Sequence, residues 1–517
     1  MPRKISLAEQ YSDFKDQTPV DVVVSNNDAG AIPMEKKPNR LENDEEEGRV
    51  TMDKNITLIR GTCIIVSTII GTGIFITPNV ISKNVESPAM SILVWFGGGC
   101  VATIGGITFC ELGTMFPSNG AEITYLRKAY GMMVSFLSCF LLQLCIGGLR
   151  RAIQFLSFSK YFWAIFYDAK QGEAPPWILD KAVCILVLTA IIAIIMIYPK
   201  VTLKIINVMT AAKLISVSVI IALGIFKLSK GEFENISQGF NGTNWNPEQW
   251  GNAWNSVLWS YNGWNVVCIL LGEVKDPSIL PKIVGLSVAI VTFFYMLTVI
   301  SYHAVLDMNT MNTATVAVAS EAARVYLGES GVIFFAVAVA VSALGNTMCS
   351  LLGTSRYLQA AGAQGVLPGV FGLISKRFRT PVFALFYMFL ATTLFVLVGD
   401  LSSLINSATY TSFAFTTLCS IGVIVMRYTK PNHPRPIKVW LIFPMITATF
   451  GIYMFIIPWF SDTRAMNALW LAITIVGGIP VYFACVNKKY RIQALVNFSE
   501  KVTAFVGKHL NSEVNLQ

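Results

Sequence analysis

The chain has 517 residues, 54% of them hydrophobic and only 13% charged, and its mean hydropathy is +0.58. Soluble domains carry about 25% charged residues, so composition excludes a cytosolic enzyme, a nucleic-acid binder and a disordered scaffold. The net charge of +9 calls for no nucleic-acid partner, because the cytoplasmic loops of membrane proteins collect Lys and Arg.

Residues 1–50 hold Pro19, Pro33, Pro38 and the acidic run Glu42, Asp44, Glu45, Glu46, Glu47. They read as a disordered cytoplasmic tail, and no signal peptide is expected before the first apolar run. A membrane-crossing helix needs about 20 mostly apolar residues. Such runs fall near 56–82, 88–114, 131–158, 177–198, 203–226, 253–274, 283–306, 331–355, 381–398, 402–426, 438–460 and 466–487. Residues 51–487 are therefore predicted to be an all-α membrane domain of twelve transmembrane helices embedded in a lipid bilayer. A cytoplasmic amphipathic tail, 488–517, follows, with Lys488–Lys508 expected on the membrane surface. All ten cysteines lie inside apolar runs, which fits small hydrophobes and not a disulfide framework or a metal site.

Orientation follows from the basic residues. With the N-terminus inside, the inner loops hold fourteen Lys and Arg and the outer loops seven, which puts both termini in the cytoplasm. The sequons Asn235-Ile236-Ser237 and Asn241-Gly242-Thr243 then fall outside, where Asn235 and Asn241 can be glycosylated.

Two runs are interrupted near their middles. The first reads Ile69-Ile70-Gly71-Thr72-Gly73-Ile74-Phe75, and the sixth reads Trp259-Ser260-Tyr261-Asn262-Gly263-Trp264-Asn265. Irregular backbone at membrane depth survives only where it is covered by protein or lines a cavity, and interruptions at corresponding places in two halves point to a transporter binding site. A break in the first run frees amide N–H groups that suit a carboxylate. A break in the sixth frees carbonyl oxygens that suit an ammonium. Together they describe an α-amino acid. The plainer reading, that these glycines only let helices pack closely, does not explain the paired placement.

At these stretches the chain resembles the amino acid/polyamine/organocation superfamily, and within it the L-type transporters, the light chains of heteromeric amino acid transporters. The resemblance rests on Gly71-Thr72-Gly73-Ile74-Phe75 with Pro78; Cys110-Glu111-Leu112-Gly113 with Gly120; Trp259 to Trp264 with Glu273 and Pro277; and Arg435-Pro436-Ile437-Lys438-Val439. Ala317-Val318 and Ser355-Arg356 also fit it. It implies a five-plus-five inverted-repeat (LeuT-like) core with helices 1 and 6 broken, a sodium-independent exchanger of neutral or anionic L-amino acids at the plasma membrane, and no cofactor. It further implies that the amides of Thr72 and Gly73 hold the substrate carboxylate and that the carbonyls of Ile69, Trp259 and Asn262 receive the ammonium. Gly71, Gly263 and Asn265 stand in the same two motifs and complete the predicted substrate site. Trp259 would be the gate. Lys213, a lone cation inside the fifth run, would stand where related transporters place sodium. On physical grounds alone it is either a tether to freed carbonyls of the first run or a proton sensor.

Three features depart from the family pattern. The loop Tyr167–Pro176 has no cysteine, so a heavy-chain glycoprotein could associate only noncovalently. The acids expected after the sixth run reduce to Gly272-Glu273, and an expected Arg/Glu pair reads Ala363-Gln364. Arg150 and Arg151 sit late in the third run. Arg150 either reads a second carboxylate on the substrate, being one turn from Gly147 where some anion-handling relatives carry arginine, or both side chains snorkel to the outer interface. Snorkelling is the reading this sequence favours. Glu111 is expected to order the loop before the third run. His303 suggests no metal site, and Phe413 either lines the pocket or packs. An enzyme is disfavoured because no catalytic cluster is visible, and a channel because the breaks are two and gated. The alternative within the superfamily is a proton-coupled permease for cationic amino acids or polyamines.

Overall fold

A computed structural model describes residues 56–117, 120–166, 175–313, 318–398, 401–460, 468–469, 472–487, 489–510 and 512–514. The tail 1–50, the loop residues Tyr167–Ala174, Ala317, Asp400 and the Glu273 side chain lie outside them.

The chain is a succession of helices. Helices α1 (Leu58–Ile69) and α2 (Gly73–Val85) meet at a 48° bend. There follow α3 (Pro88–Met115), α4 (Glu122–Tyr130), α5 (Met132–Trp163), α6 (Trp177–Ile197), α7 (Pro199–Ser229) and α8 (Pro247–Ser260). Beyond the second break come α9 (Val266–Ile269), α10 (Leu280–Val305), α11 (Val318–Ala363), α12 (Val382–Val398), α13 (Leu401–Thr429), α14 (Ile442–Ile456), α15 (Ile473–Val486) and α16 (Gln493–His509). Several starts are set by proline at the first helical position, as at Pro88, Pro199 and Pro247, where the missing N–H would be unpaired anyway. Asn246 caps α8 by accepting the Glu248 N–H at 3.0 Å.

Among the described residues six helices are long and apolar enough to cross a membrane (α3, α5, α6, α7, α11 and the Pro277–Val305 segment that contains α10), and the bent pair α1–α2 makes a seventh. This is a multi-pass membrane protein. The other expected spans coincide with shorter elements. Helix α12, the Phe413–Thr429 part of α13, α14 and α15 are apolar but of 10–17 residues, and the sixth run is split into α8 and the single turn α9.

Helix α2 lies along α8, and α3 and α10, which pack on each other, each touch both broken segments. A parallel bridge joins Ile56, just before α1, to Val274, just after the second broken segment, and the Lys275 N–H donates to Ile56 O at 3.1 Å.

Glu111 does not order the loop before the third run. It is fully buried, accepts from Arg427 Nη2 at 2.6 Å and from the Val439 N–H at 3.0 Å, and lies 3.5 Å from Arg435 Nε. Arg427 Nη2 also donates to Val439 O. The carboxylate therefore organises the α13–α14 connection, supplying the negative charge for two arginines that otherwise meet backbone carbonyls such as Val439 O, Met426 O and Lys430 O.

The C-terminal segment is not a free tail. Helix α16 buries Thr503 and leaves Phe498 and Phe505 exposed. Strand β2 (Ser512–Val514) then pairs antiparallel with β1 (Leu373–Ser375), Leu373 opposite Val514 and Ser375 opposite Ser512.

Candidate functional site

The two breaks touch. Gly73 opens α2, and a Cβ there would stand 2.8 Å from the Cα and 2.7 Å from the Oγ of Ser260, the last residue of α8. From the other side, Gly263 has φ of +122°, and a Cβ on it would meet Thr68 Cγ2 at 2.6 Å. Only glycine fits either place: the first by close approach, the second also by a backbone conformation L side chains rarely adopt. Thr77 and Ser260 hydroxyls lie 2.8 Å apart just beyond.

Between the breaks lies a cavity of about 200 Å³. Ile69, Gly71, Thr72 and Gly73 line it from the first break, and Trp259, Asn262, Gly263 and Asn265 from the second; Arg150 and Phe413 line its other walls. The substrate residues expected from sequence are thus brought to one cavity. Two groups of donors and acceptors face each other there. At the start of α2 the Phe75 and Ile76 N–H groups both reach Thr72 O at 3.1 Å, which leaves the Thr72, Gly73 and Ile74 amides without an acceptor inside the helix. The Asn262 and Gly263 carbonyls belong to the irregular stretch Tyr261–Asn265 between α8 and α9. Two of the expected ammonium acceptors are already approached by donors: Ile69 O lies 2.9 Å from the Tyr295 hydroxyl, and Trp259 O accepts the Asn262 N–H at 3.2 Å and is shared with the Tyr261 N–H. Ile69 O keeps a second lone pair.

Tyr295, buried on α10, was not singled out from sequence. Its hydroxyl lies within hydrogen-bond distance of Ile69 O and of Ser260 O, at 2.9 and 3.1 Å, so it bridges the two breaks. One proton serves two acceptors, and the hydroxyl can donate to only one at a time.

Lys213 lies outside the cavity wall. It is 1% exposed, and Nζ donates to Ser67 O at 3.0 Å. Ser67 O is among the last carbonyls of α1, which the break deprives of helical partners. Thr210, one turn before Lys213, donates to Ser67 Oγ at 2.7 Å, and Cys349 Sγ of α11 lies 3.6 Å from the same hydroxyl. Three helices therefore converge on one residue before the first break.

The snorkelling expected for the two arginines is not what the structure shows. Arg151 is 2% exposed and Arg150 half-buried, and both line the cavity. The cause is a π-helical turn at Phe140–Cys145 inside α5, the kind of local unwinding that leaves carbonyls available. Arg150 Nη2 folds back to Leu142 O at 2.9 Å, and the Tyr387 hydroxyl reaches Leu144 O at 2.6 Å. Arg151 Nε donates to Thr392 Oγ1 of α12 at 3.0 Å.

Glu122 is the largest omission of the sequence reading. It opens α4 after a turn in which Gly120 and Ala121 have φ of 114° and 37°, and this turn carries it to the cavity. Its carboxylate accepts from Asn265 Nδ2 at 3.1 Å and lies within electrostatic reach of Arg150. Gln143, Gln154 and Asn346 also line the cavity. They carried a usable signal, being polar residues within apolar runs. Along α4, Gln364 exchanges hydrogen bonds with Thr124 of the first turn, and Arg127 Nη1 donates to Gln364 O at 3.0 Å. An amide, Gln364, thus stands where the family pattern leads one to expect a charged side chain, its side chain met by a hydroxyl and its backbone carbonyl by a guanidinium.

The family model for amino acid permeases matches residues 56–479. The chain belongs to the amino acid permease family. The b(0,+)-type amino acid transporter 1 of Rattus norvegicus is 30% identical over 483 residues, 92% of this chain and 97% of that protein. Its Homo sapiens counterpart is 30% identical over 473 residues, 90% and 93% of the two chains. The large neutral amino acids transporter small subunit 2 of Rattus norvegicus is 30% identical over 464 residues, 88% and 85%. As a permease the chain is a transporter and not an enzyme.

Asn241 is exposed, while Asn235 is half-buried with Nδ2 donating to Ala304 O at 3.2 Å. The two sequons therefore differ in access.

Proposed function

We propose that this permease is a sodium-independent exchanger of L-amino acids at the plasma membrane, built on twelve spans in a five-plus-five inverted repeat with both termini cytoplasmic. The observation that carries the reading is the cavity walled on one side by the start of α2 and on the other by the irregular stretch after α8. Amide donors and carbonyl acceptors a few residues long on each side are what the carboxylate and ammonium of one α-amino acid need. The names of the relatives, amino acid transporters throughout, point the same way. Thr72 and Gly73 hold the carboxylate, Trp259 closes over the site, and one bundle rocks against the other. Lys213 holds the end of α1 in the place of a coupling cation. A heavy-chain glycoprotein, if one associates, does so without a disulfide from the loop Tyr167–Pro176.

The test is uptake of labelled leucine, phenylalanine, glutamate, cystine and arginine by the purified chain in sodium-free proteoliposomes, with and without amino acid inside. Uptake that requires internal amino acid establishes exchange. Uptake into empty vesicles that follows an imposed proton gradient establishes the proton-coupled permease instead. Glu122 favours that second reading by giving the cavity one acid for a cationic side chain, but two arginines share the wall with it.

A further inference from the structure

We propose that Phe116, Lys128, Lys430 and His433, at one end of the bundle, form a binding site for the phosphate headgroup of an anionic phospholipid. The inference needs only a chain that spans a bilayer, and so it stands apart from the reading of the substrate.

Three stretches distant in sequence bring cations to one ring. Phe116 follows the last turn of α3, Lys128 lies in the last turn of α4, and Lys430 follows α13. The two ammonium groups stand 5.9 and 5.8 Å from the centre of the Phe116 ring, and the His433 ring packs on the same phenyl with 4.9 Å between centroids. Attraction of a cation to a phenyl face is modest, and here the repulsion of two like charges opposes it. Partial burial, and then the charge of Lys128, lower the pKa of Lys430 from its ordinary value. Neither lysine has a carboxylate partner among the described residues. Glu111, the acid that meets this connection, is engaged by Arg427 and Arg435. A phosphate, with its charge and several acceptor oxygens, completes such an arrangement.

The cations are held in place. Arg435 folds the stretch after α13 around its guanidinium: Nη1 donates to Pro431 O and His433 O at 3.1 and 3.2 Å, and Nη2 to Met426 O and Lys430 O at 2.9 Å each. Pro431, Pro434 and Pro436 fix further φ angles there. Lys430 Nζ in turn donates to Lys128 O at 3.0 Å, which leaves it two N–H groups. A site formed before its ligand arrives loses less freedom on binding it.

The source of the phosphate follows from the aromatic residues beside it. Tyr428, two residues before Lys430, and Trp440, two residues ahead of α14, are each 76% exposed. Exposed Tyr and Trp at the ends of spans mark the headgroup level of a bilayer, and basic pockets between helices at that depth take lipid headgroups. Helices α4 and α13 pack on each other. A headgroup taken by both lysines therefore ties α4, the helix that brings Glu122 to the cavity, to its neighbour.

The deciding experiment measures, by fluorescence anisotropy, the binding of acyl-labelled phosphatidic acid to the full chain in a neutral detergent. Phosphatidylcholine with the same label is the comparison. The variants are K128Q/K430Q and K200Q/K204Q, the second removing equal charge from two exposed lysines elsewhere. The parent is expected to bind phosphatidic acid about tenfold or more tightly than phosphatidylcholine, and K128Q/K430Q to lose about that factor, as for hydrogen bonds to a charged group. K200Q/K204Q is expected to keep the parent's affinity. Equal binding of the two lipids by the parent overturns the proposal, whether or not any variant folds. Unchanged affinity in folded K128Q/K430Q overturns it, and so does an equal loss in both double variants, which is general attraction to a basic surface. Inorganic phosphate that displaces the label at the lipid's own concentration assigns the site to free phosphate instead. Binding that appears only after Glu42, Glu45, Glu46 and Glu47 are replaced by Gln assigns the cluster to that acidic run and equally overturns the lipid reading.

Discussion

The Cα of Ser260 lies 2.8 Å from where a Cβ on Gly73 would be. The two helix breaks thus meet backbone to backbone, with the cavity beside the contact. Replacing Gly73 with Ala pushes against main chain, which cannot rotate away, and such overpacking costs about 1–3 kcal/mol. G73A should lower the thermal midpoint of the purified protein and abolish amino acid uptake. Full uptake in G73A would mean that the breaks are not in contact during transport.

Tyr295 makes a different test of the same junction. Tyr295→Phe keeps the ring and removes the hydroxyl that bridges Ile69 O and Ser260 O. The expected loss is about 1 kcal/mol of stability, the net worth of a neutral hydrogen bond. Uptake should slow for every substrate alike, read as an unchanged substrate profile at a lower rate.

Lys213→Met leaves Ser67 O without its ammonium partner and should cost about 1–3 kcal/mol. Because Lys213 lies outside the cavity wall, uptake should fall uniformly across the substrate panel. A variant that changes the order of preference instead would place Lys213 in contact with substrate.

Glu111→Gln breaks an ion pair whose carboxylate is fully buried. Truncating one partner of such a pair typically costs about 3–5 kcal/mol, so E111Q should be among the least stable single variants. The measurement is the monodisperse yield after detergent extraction together with the melting temperature.

Glycosylation should occur at Asn241 and not at Asn235, whose amide nitrogen is already engaged. In a glycosylating host, Asn241→Gln should remove the mobility shift produced by glycosidase, and Asn235→Gln should leave it in place.

Much of the site could be read from sequence because glycine in an apolar run is a local signal. Gly71 and Gly73 in one run and Gly263 in another marked both breaks, and the residues beside them came with the motifs. What could not be read depended on contacts distant in sequence or on a change of helical phase. Tyr295 looks like any aromatic in a span until its hydroxyl is seen between two carbonyls. Glu122 falls outside the apolar periodicity and reaches the cavity only through the turn at Gly120 and Ala121. The arginines were misjudged because a regular helix was assumed before them. The π turn at Phe140–Cys145 adds backbone that helical counting does not see, and Arg150 spends its guanidinium on a carbonyl of that turn. The run 381–398 matches α12 to within one residue, whereas in 438–460 the regular helix Ile442–Ile456 gives way to a 3₁₀ turn at Ile457–Phe460.

The Ile56–Val274 bridge gains weight beside the glycine contacts. Ile56 with Val274, Thr68 with Gly263 and Gly73 with Ser260 join the two interrupted segments at three successive points along their length. Two rods fastened at three points cannot slide or pivot independently. They form one lever, and motion that opens the cavity must occur between this lever and the helices around it.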